Sequence, residues 1–412
     1  MKYKYLENYR ISLPPIGWNL FVLFFLFLYP LKIISQDGEK TAETLTKMGF
    51  ENVSWTEDDK ERIFVIENSS WRLSGVGIGK AIDQIQQTGL SDKKPCRLIV
   101  LNNNIPQISL YYQPILGDSV PVASREDWKV SYNLDESWNK VKKENTKNSS
   151  LYKVDIVIYP ELYFQNMIVS QIYQGVINLS PTVEISFWRG MKFSGQIICP
   201  ILNDYGDMYE QVRPGFVALS QTVRLPKNWF VTASAGNFNN FRWGGDLRVI
   251  HPFKNERFSV EGRIGYTGAA YFDNWAWNYG PIKRLSWTIG GNFFWPKYNV
   301  QLSAKIEQYL LGEKGIRVDM IRHFRYTSIG FYAMKTEHAP SNGGFRFQIA
   351  LPPYKYKRKG YVRVTPSKYF GLGYNAGNEK YYGKTYKTQP SDNIAEENSL
   401  NPYFIKSELL NY

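Results

Sequence analysis

The sequence predicts a mainly β protein: an antiparallel transmembrane β-barrel of roughly twelve strands, preceded by a small periplasmic α/β module. Three observations predict it. From Tyr152 to Leu351 apolar and polar residues alternate with a period of two almost throughout. Ahead of that region stands an export-type leader, with basic Lys2, Lys4 and Arg10 followed by the apolar run L-F-V-L-F-F-L-F-L at 20–28. Aromatic residues make up 16% of the chain, and many fall at strand ends, where a barrel needs girdles at its two lipid–water interfaces.

Residues 1–36 read as a signal peptide. The apolar run falls short of the roughly 20 residues of a spanning helix, and Tyr29, Pro30 and Lys32 close it. The competing reading is an uncleaved N-terminal anchor. Residues 37–114 read as an α/β module. Ala42, Leu45 and Met48 lie at helical spacing before Gly49, and Ile78, Ile82 and Ile85 before Gly89. Short strands are expected at Val53–Trp55, 63–66, 96–101 and 108–112, giving helix-strand-strand twice. Gly75, Gly77 and Gly79 are spaced G-x-G-x-G, not G-x-G-x-x-G, so they are expected to shape the turn into the second helix and not to cradle a nucleotide. Residues 115–150 form a charged connector, with one short strand around Trp128, Val130 and Tyr132.

Residues 151–351 supply the barrel. In R-F-S-V-E-G-R-I-G-Y-T-G, at 257–268, Phe258, Val260, Ile264 and Tyr266 share one face with Gly262 and Gly268, and Arg257, Ser259, Glu261, Arg263 and Thr267 the other. A soluble β-sandwich can show the same alternation. Repetition of this pattern behind a leader favours the barrel, since only helices or closed sheets satisfy the backbone in lipid. Turns are expected near 224–228, 238–240, 252–255, 296–297 and 312–315. Residues 341–349 read as the last strand. Residues 352–412 then read as a basic, aromatic periplasmic tail with a disordered end, in which Lys355, Lys357, Arg358 and Lys359 either meet head groups or an anionic polymer or simply keep the barrel's periplasmic rim solvated.

The formal net charge of +13 asks for an anionic partner. For an exported chain that is outer-membrane lipid or an acidic polymer, not nucleic acid. On the lumen face Arg257, Arg263, Arg284, Lys305, Arg317 and Arg346 are the candidate contacts to an anionic polysaccharide, through guanidinium forks matched to carboxylates or phosphates. The competing reading is a barrel plugged by salt bridges to Glu184, Glu261, Glu307 and Asp319. The two cysteines make no disulfide framework, and His251, His323 and His338 show no metal spacing. No G-x-S-x-G elbow is present, so no catalytic residue, metal or cofactor is assigned. A triad assembled across strands stays open as the alternative of a barrel enzyme acting on lipid or glycan.

The tail motifs L-P-P-Y-K-Y-K-R (351–358) and V-R-V-T-P-S-K-Y-F (362–370), with G-V-G-I-G-K-A-I (75–82) in the module, resemble the YjbH/GfcD family of outer-membrane exopolysaccharide proteins, in a short single-barrel form. The resemblance implies a location in the outer membrane, periplasmic export proteins as partners, and a non-catalytic part in exopolysaccharide or capsule assembly and export. It supplies no catalytic residues. A structural scaffold for periplasmic partners is the third expectation.

Overall fold

The structure, a computed structural model, describes residues 36–91, 93–114, 123–165, 174–375 and 384–411. The expected leader lies outside these residues except for Gln36.

The module begins with α1 (Gln36–Met48), β1 (Glu51–Glu57), β2 (Arg62–Glu67), α2 (Ser74–Thr88), β3 (Cys96–Asn102) and β4 (Ile105–Tyr112). The helix-strand-strand unit does occur twice. β5 (Lys129–Ser131) and the short α3 (Ser137–Val141) complete it. The sheet order is β1-β2-β3-β4-β5, with only β2 and β3 parallel. β2 and β3 are nearly continuous apolar runs because both sheet faces are covered. Phe64, Ile66, Leu98 and Val100 face α1 and α2, while Ile63, Val65, Ile99 and Leu101 pack with Leu134 and Val141. Cys96 lies in this core, where burial pushes its thiol up to about 12 and leaves it inert.

The three glycines do not shape a turn. They lie inside α2, and Gly75 carries no side chain because the C-terminal helix presses on it: a Cβ there would sit 2.2 Å from Glu408 Cβ.

The wall begins with β6 (Val154–Gln165), β7 (Gln174–Ile185), β8 (Met191–Asn203), β9 (Arg213–Leu225), β10 (Trp229–Phe238) and β11 (Arg242–Pro252). It continues with β12 (Phe258–Asp273), which carries the hairpin strand β13 (Ala276–Tyr279). Then come β14 (Arg284–Trp295), β15 (Val300–Gln308), β16 (Lys314–His323), β17 (Thr327–Thr336) and β18 (Asn342–Ala350). Apart from β13, each strand pairs antiparallel with the next, twelve in all, and the expected turns fall between them. His251, next to the turn expected at 252–255, is in β11 with its ring stacked 4.3 Å from Trp229.

Outward positions are apolar and exposed: Ile264, Tyr266, Ile289, Ile306, Ile316, Val318 and Phe331. Their inward neighbours Glu261, Glu307, Arg317 and Asp319 are buried.

The sequence ended the wall too early. Pro352 and Pro353 do stop β18, but alternation resumes. β19 (Val362–Pro366) pairs parallel with β6, and β20 (Tyr369–Asn375) pairs antiparallel with β18. Residues 362–375 are thus a thirteenth wall strand, bent near Ser367. An odd count places the last strand parallel to the first, in contrast to the antiparallel barrel of roughly twelve strands expected.

Nor is the rest a disordered tail. Residues 384–401 run back through the lumen from the far rim. There Lys384 pairs with Glu313. At the near rim Asn401 donates to Glu256 O, at 3.2 Å. The last described element is α4 (Pro402–Asn411), whose Ile405 and Leu409 are buried in the module core.

Candidate functional site in the barrel lumen

The module is fastened to the near rim by the residues expected to be a free basic patch. Arg358 pairs with Glu51 at 2.9 Å and Asp155 at 2.6 Å. Lys357 donates to Lys47 O at 2.6 Å, and Lys355 lies over the Trp71 ring. Opposite, Arg224 donates to Pro106 O and Gln107 O at 2.9 Å each. Gly190 approaches with φ of 79° and donates to Asn103 O at 2.9 Å. Beneath this joint Glu67 accepts from Asn52 Nδ2 and from the amides of Asn103 and Asn104. Burial holds its carboxyl above the usual range, against those three donors.

Four of the six predicted lumen cations are in the lumen, and all four have carboxylate partners. Arg263 donates to Asp246 at 2.9 Å and lies over the Tyr386 ring. Lys305 is 2.5 Å from Glu261. Arg317 grips Asp319 through two 2.7 Å bonds, and Arg346 reaches the same carboxylate. The other two are elsewhere. Arg257 sits in the near-rim turn over the Tyr403 ring, and Arg284 is exposed at the far end of β14.

Sequence reasoning missed the residues that come from the C-terminal segment. Tyr386 stacks on Phe238 and donates to Asp246 at 2.6 Å. Glu397 lies 3.2 Å from Arg248 and 3.9 Å from Lys305. Glu396 lies 3.7 Å from Lys368. The signal was present: Asp392, Glu396 and Glu397 form an acidic stretch complementary to the basic wall, and Ile405 and Leu409 have helical spacing. The lumen is therefore charge-compensated by wall and plug together, not a bare basic conduit.

Beside the plug a cavity of about 1410 Å³ remains. It runs from Glu67, Asn103 and Lys153 at the module, past Tyr159, Glu161, Lys192 and Gln196, to Tyr205, Tyr209, Phe241 and Trp277 at the far rim. Its polar wall and aromatic mouth suit a hydrated, hydroxyl-rich ligand or an amphiphile.

No protein-family model matches the chain, and no curated protein matches it in sequence. Among solved structures it is similar to a triple mutant of Rhodopseudomonas blastica porin, at 9% identity over 47% of this chain and 88% of the porin, with a TM-score of 0.26. It is also similar to a loop L8 deletion mutant of OmpT, an outer membrane protein of Vibrio cholerae, at 9% identity over 48% of this chain and 86% of that one, with a TM-score of 0.27. Such loose superposition carries no argument. The barrel rests on its own ladder of strand pairs.

Among the described residues no group of His, Cys, Asp and Glu could hold a metal ion. His323 Nδ1 lies 2.9 Å from Ser328 Oγ, a pairing a hydrolase uses, but both side chains are buried. The other imidazole nitrogen faces Gln301 Oε1 at 3.4 Å, and Phe404 packs against the ring. That is the geometry of a packed core contact.

Proposed function

We propose that the protein is an outer-membrane β-barrel component of exopolysaccharide or capsule assembly and export, working without catalysis. The membrane part is carried by one observation: a ladder closing on itself with its exposed apolar side chains on the outside and its charges inside. The polysaccharide part is supported by the resemblance to the YjbH/GfcD family. Its motifs coincide with working parts of this architecture: 351–358 ties module to barrel, 362–370 makes the closing strand, and 75–82 receives the C-terminal helix. Outer-membrane lipid and periplasmic export proteins are the partners this reading requires, with an anionic polysaccharide as cargo.

The plugged lumen favours a second reading, in which the barrel is a scaffold that holds the module against the membrane. A deletion strain complemented with the intact gene tests both parts. Heat-modifiable migration and an outer-membrane fraction are expected, with surface polysaccharide lost on deletion and restored on complementation. Recovery from the soluble periplasm without detergent would end the membrane part. Unchanged polysaccharide in the deletion strain would end the polysaccharide part.

A further inference from the structure

The wall has one interrupted seam. β19 holds β6 only along 154–158, and a last bond runs from Ser367 N to Ile158 O at 2.9 Å. Beyond it, among the described residues, 159–165 of β6 pair only with β7, and β20 pairs only with β18. Two strand edges stand side by side without a ladder between them. Their residues fit that state. Pro160 has no N–H to leave unbonded, and Gly371 and Gly373 put no side chain on the lumen face of β20.

The lumen cavity reaches the wall here. Along β15 and β16 only alternate residues line it, Ser303, Lys305 and Glu307, then Arg317, Asp319 and Ile321. Along β6 consecutive residues 159–164 line it, and along β20 residues 371–375. Residues of both faces of both edges border the space, and Leu162, Phe164 and Leu372 among them stand on the apolar exterior. Inside, Arg213 and Lys387 line the same cavity. Among the described residues Arg213 donates only to the main-chain oxygens of Tyr209 and Gln211, at 3.1 and 3.2 Å. Among the described residues neither cation has a carboxylate at ion-pair distance, unlike Arg263, Lys305, Arg317 and Arg346. Asn178 Oδ1, on a side chain 2% exposed, has no hydrogen-bond partner there.

We propose that this seam is a lateral portal for an anionic amphiphile of the surrounding bilayer. The acyl part lies between β6 and β20, and the phosphate head group lies in the cavity near Arg213 and Lys387. The portal rests on the barrel being embedded in a membrane, but not on any role in polysaccharide export.

A benzophenone amino acid in place of Tyr163, on the lumen face beside the seam, tests it. The full-length protein is reconstituted in phosphatidylcholine vesicles with acyl-labelled phosphatidylglycerol in one arm and acyl-labelled lipid A in the other. The probe in place of Ser303 reports the lumen behind a fully paired wall, and in place of Phe331 it reports the lipid-facing exterior. Labelling at 163 is expected several-fold above that at 303, and the stronger arm names the source of the phosphate. Arg213→Glu with Lys387→Glu is expected to lower it several-fold without changing labelling at 331. Labelling at 163 no greater than at 303, with 331 labelled, overturns the portal. Labelling that ignores both charge reversals overturns the head-group assignment. No labelling at 331 overturns the membrane reading, and the portal with it.

Discussion

Glu408 accepts the Gly75 amide at 2.6 Å in the module core, and burial raises its carboxyl from 4.5 to about 7, with that single amide opposing. Unfolded, the group titrates near 4.5. The folded state therefore binds the proton more tightly, and this contribution to stability is complete below 4.5, declines as pH rises to about 7, and is lost above it. Glu408→Gln removes the charge but keeps an acceptor for Gly75. Its melting temperature in detergent is expected to exceed that of the natural protein at pH 8 and to match it at pH 4. Equal melting at both pH values would show that Glu408 does not titrate in this range. A different residue-scale test concerns Asp319, which holds Arg317 and Arg346 in the lumen. Arg317 is 2% exposed, so Asp319→Asn removes the carboxylate that it grips inside the barrel, a loss of about 3–5 kcal/mol by analogy with other broken buried pairs. Chemical unfolding in detergent measures it. Changing Arg317 and Arg346 to Met as well is expected to recover part of that loss, since both cations that Asp319 balances are then removed with it.

At the scale of elements, α4 is a latch. Ile405 and Leu409 enter a core otherwise made by α1, α2 and β1–β4 with Phe50, Trp71 and Trp128, and each buried aliphatic side chain contributes roughly 1.5–3 kcal/mol. Lys406 Nζ adds bonds to Glu126 O and Trp128 O at 2.7 Å each. Gly75→Ala pushes a methyl into Glu408 and is expected to speed proteolysis within 384–411 while strand content by circular dichroism is unchanged. Undiminished protease resistance would show that α4 shifts without undocking. The elements most legible in sequence were those with a local period. The twin helix-strand-strand units and the alternating strands through Ala350 all show their burial in the order of their residues. The closing strand was not legible, because Pro352 and Pro353 interrupt it from β18, and parallel pairing of Val362 with Val154 is a contact between opposite ends of the barrel sequence. The lumen cations were legible as types and faces. Their pairing with Glu397 and Tyr386 was not, since the acidic stretch at 392–397 shows its charge but not which distant strands it meets.

For the whole molecule, the question is what the C-terminal segment does to the lumen it crosses. It is held by charge at Glu397, by stacking at Tyr386, and by α4 in the module, so one chain links far rim, wall and module. The wall cations then have two possible roles. They can serve an anionic cargo once the plug moves, or they can serve only to seat the plug. Truncating 384–411 confuses the two, because losing α4 exposes the module core. Replacing 384–397 with a Gly/Ser linker of equal length keeps α4 and removes the seating contacts. In planar bilayers this variant is expected to conduct several-fold more than the natural protein, which has only the space beside the plug. It is also expected to favour anions, because Arg248, Arg263 and Lys305 lose plug partners. High salt is expected to weaken the preference by screening these charges. Unchanged conductance would show that the segment does not set the opening. Raised conductance without anion preference would show that Asp246, Glu261 and Asp319 suffice to balance the wall, and would leave the arginines a purely structural part.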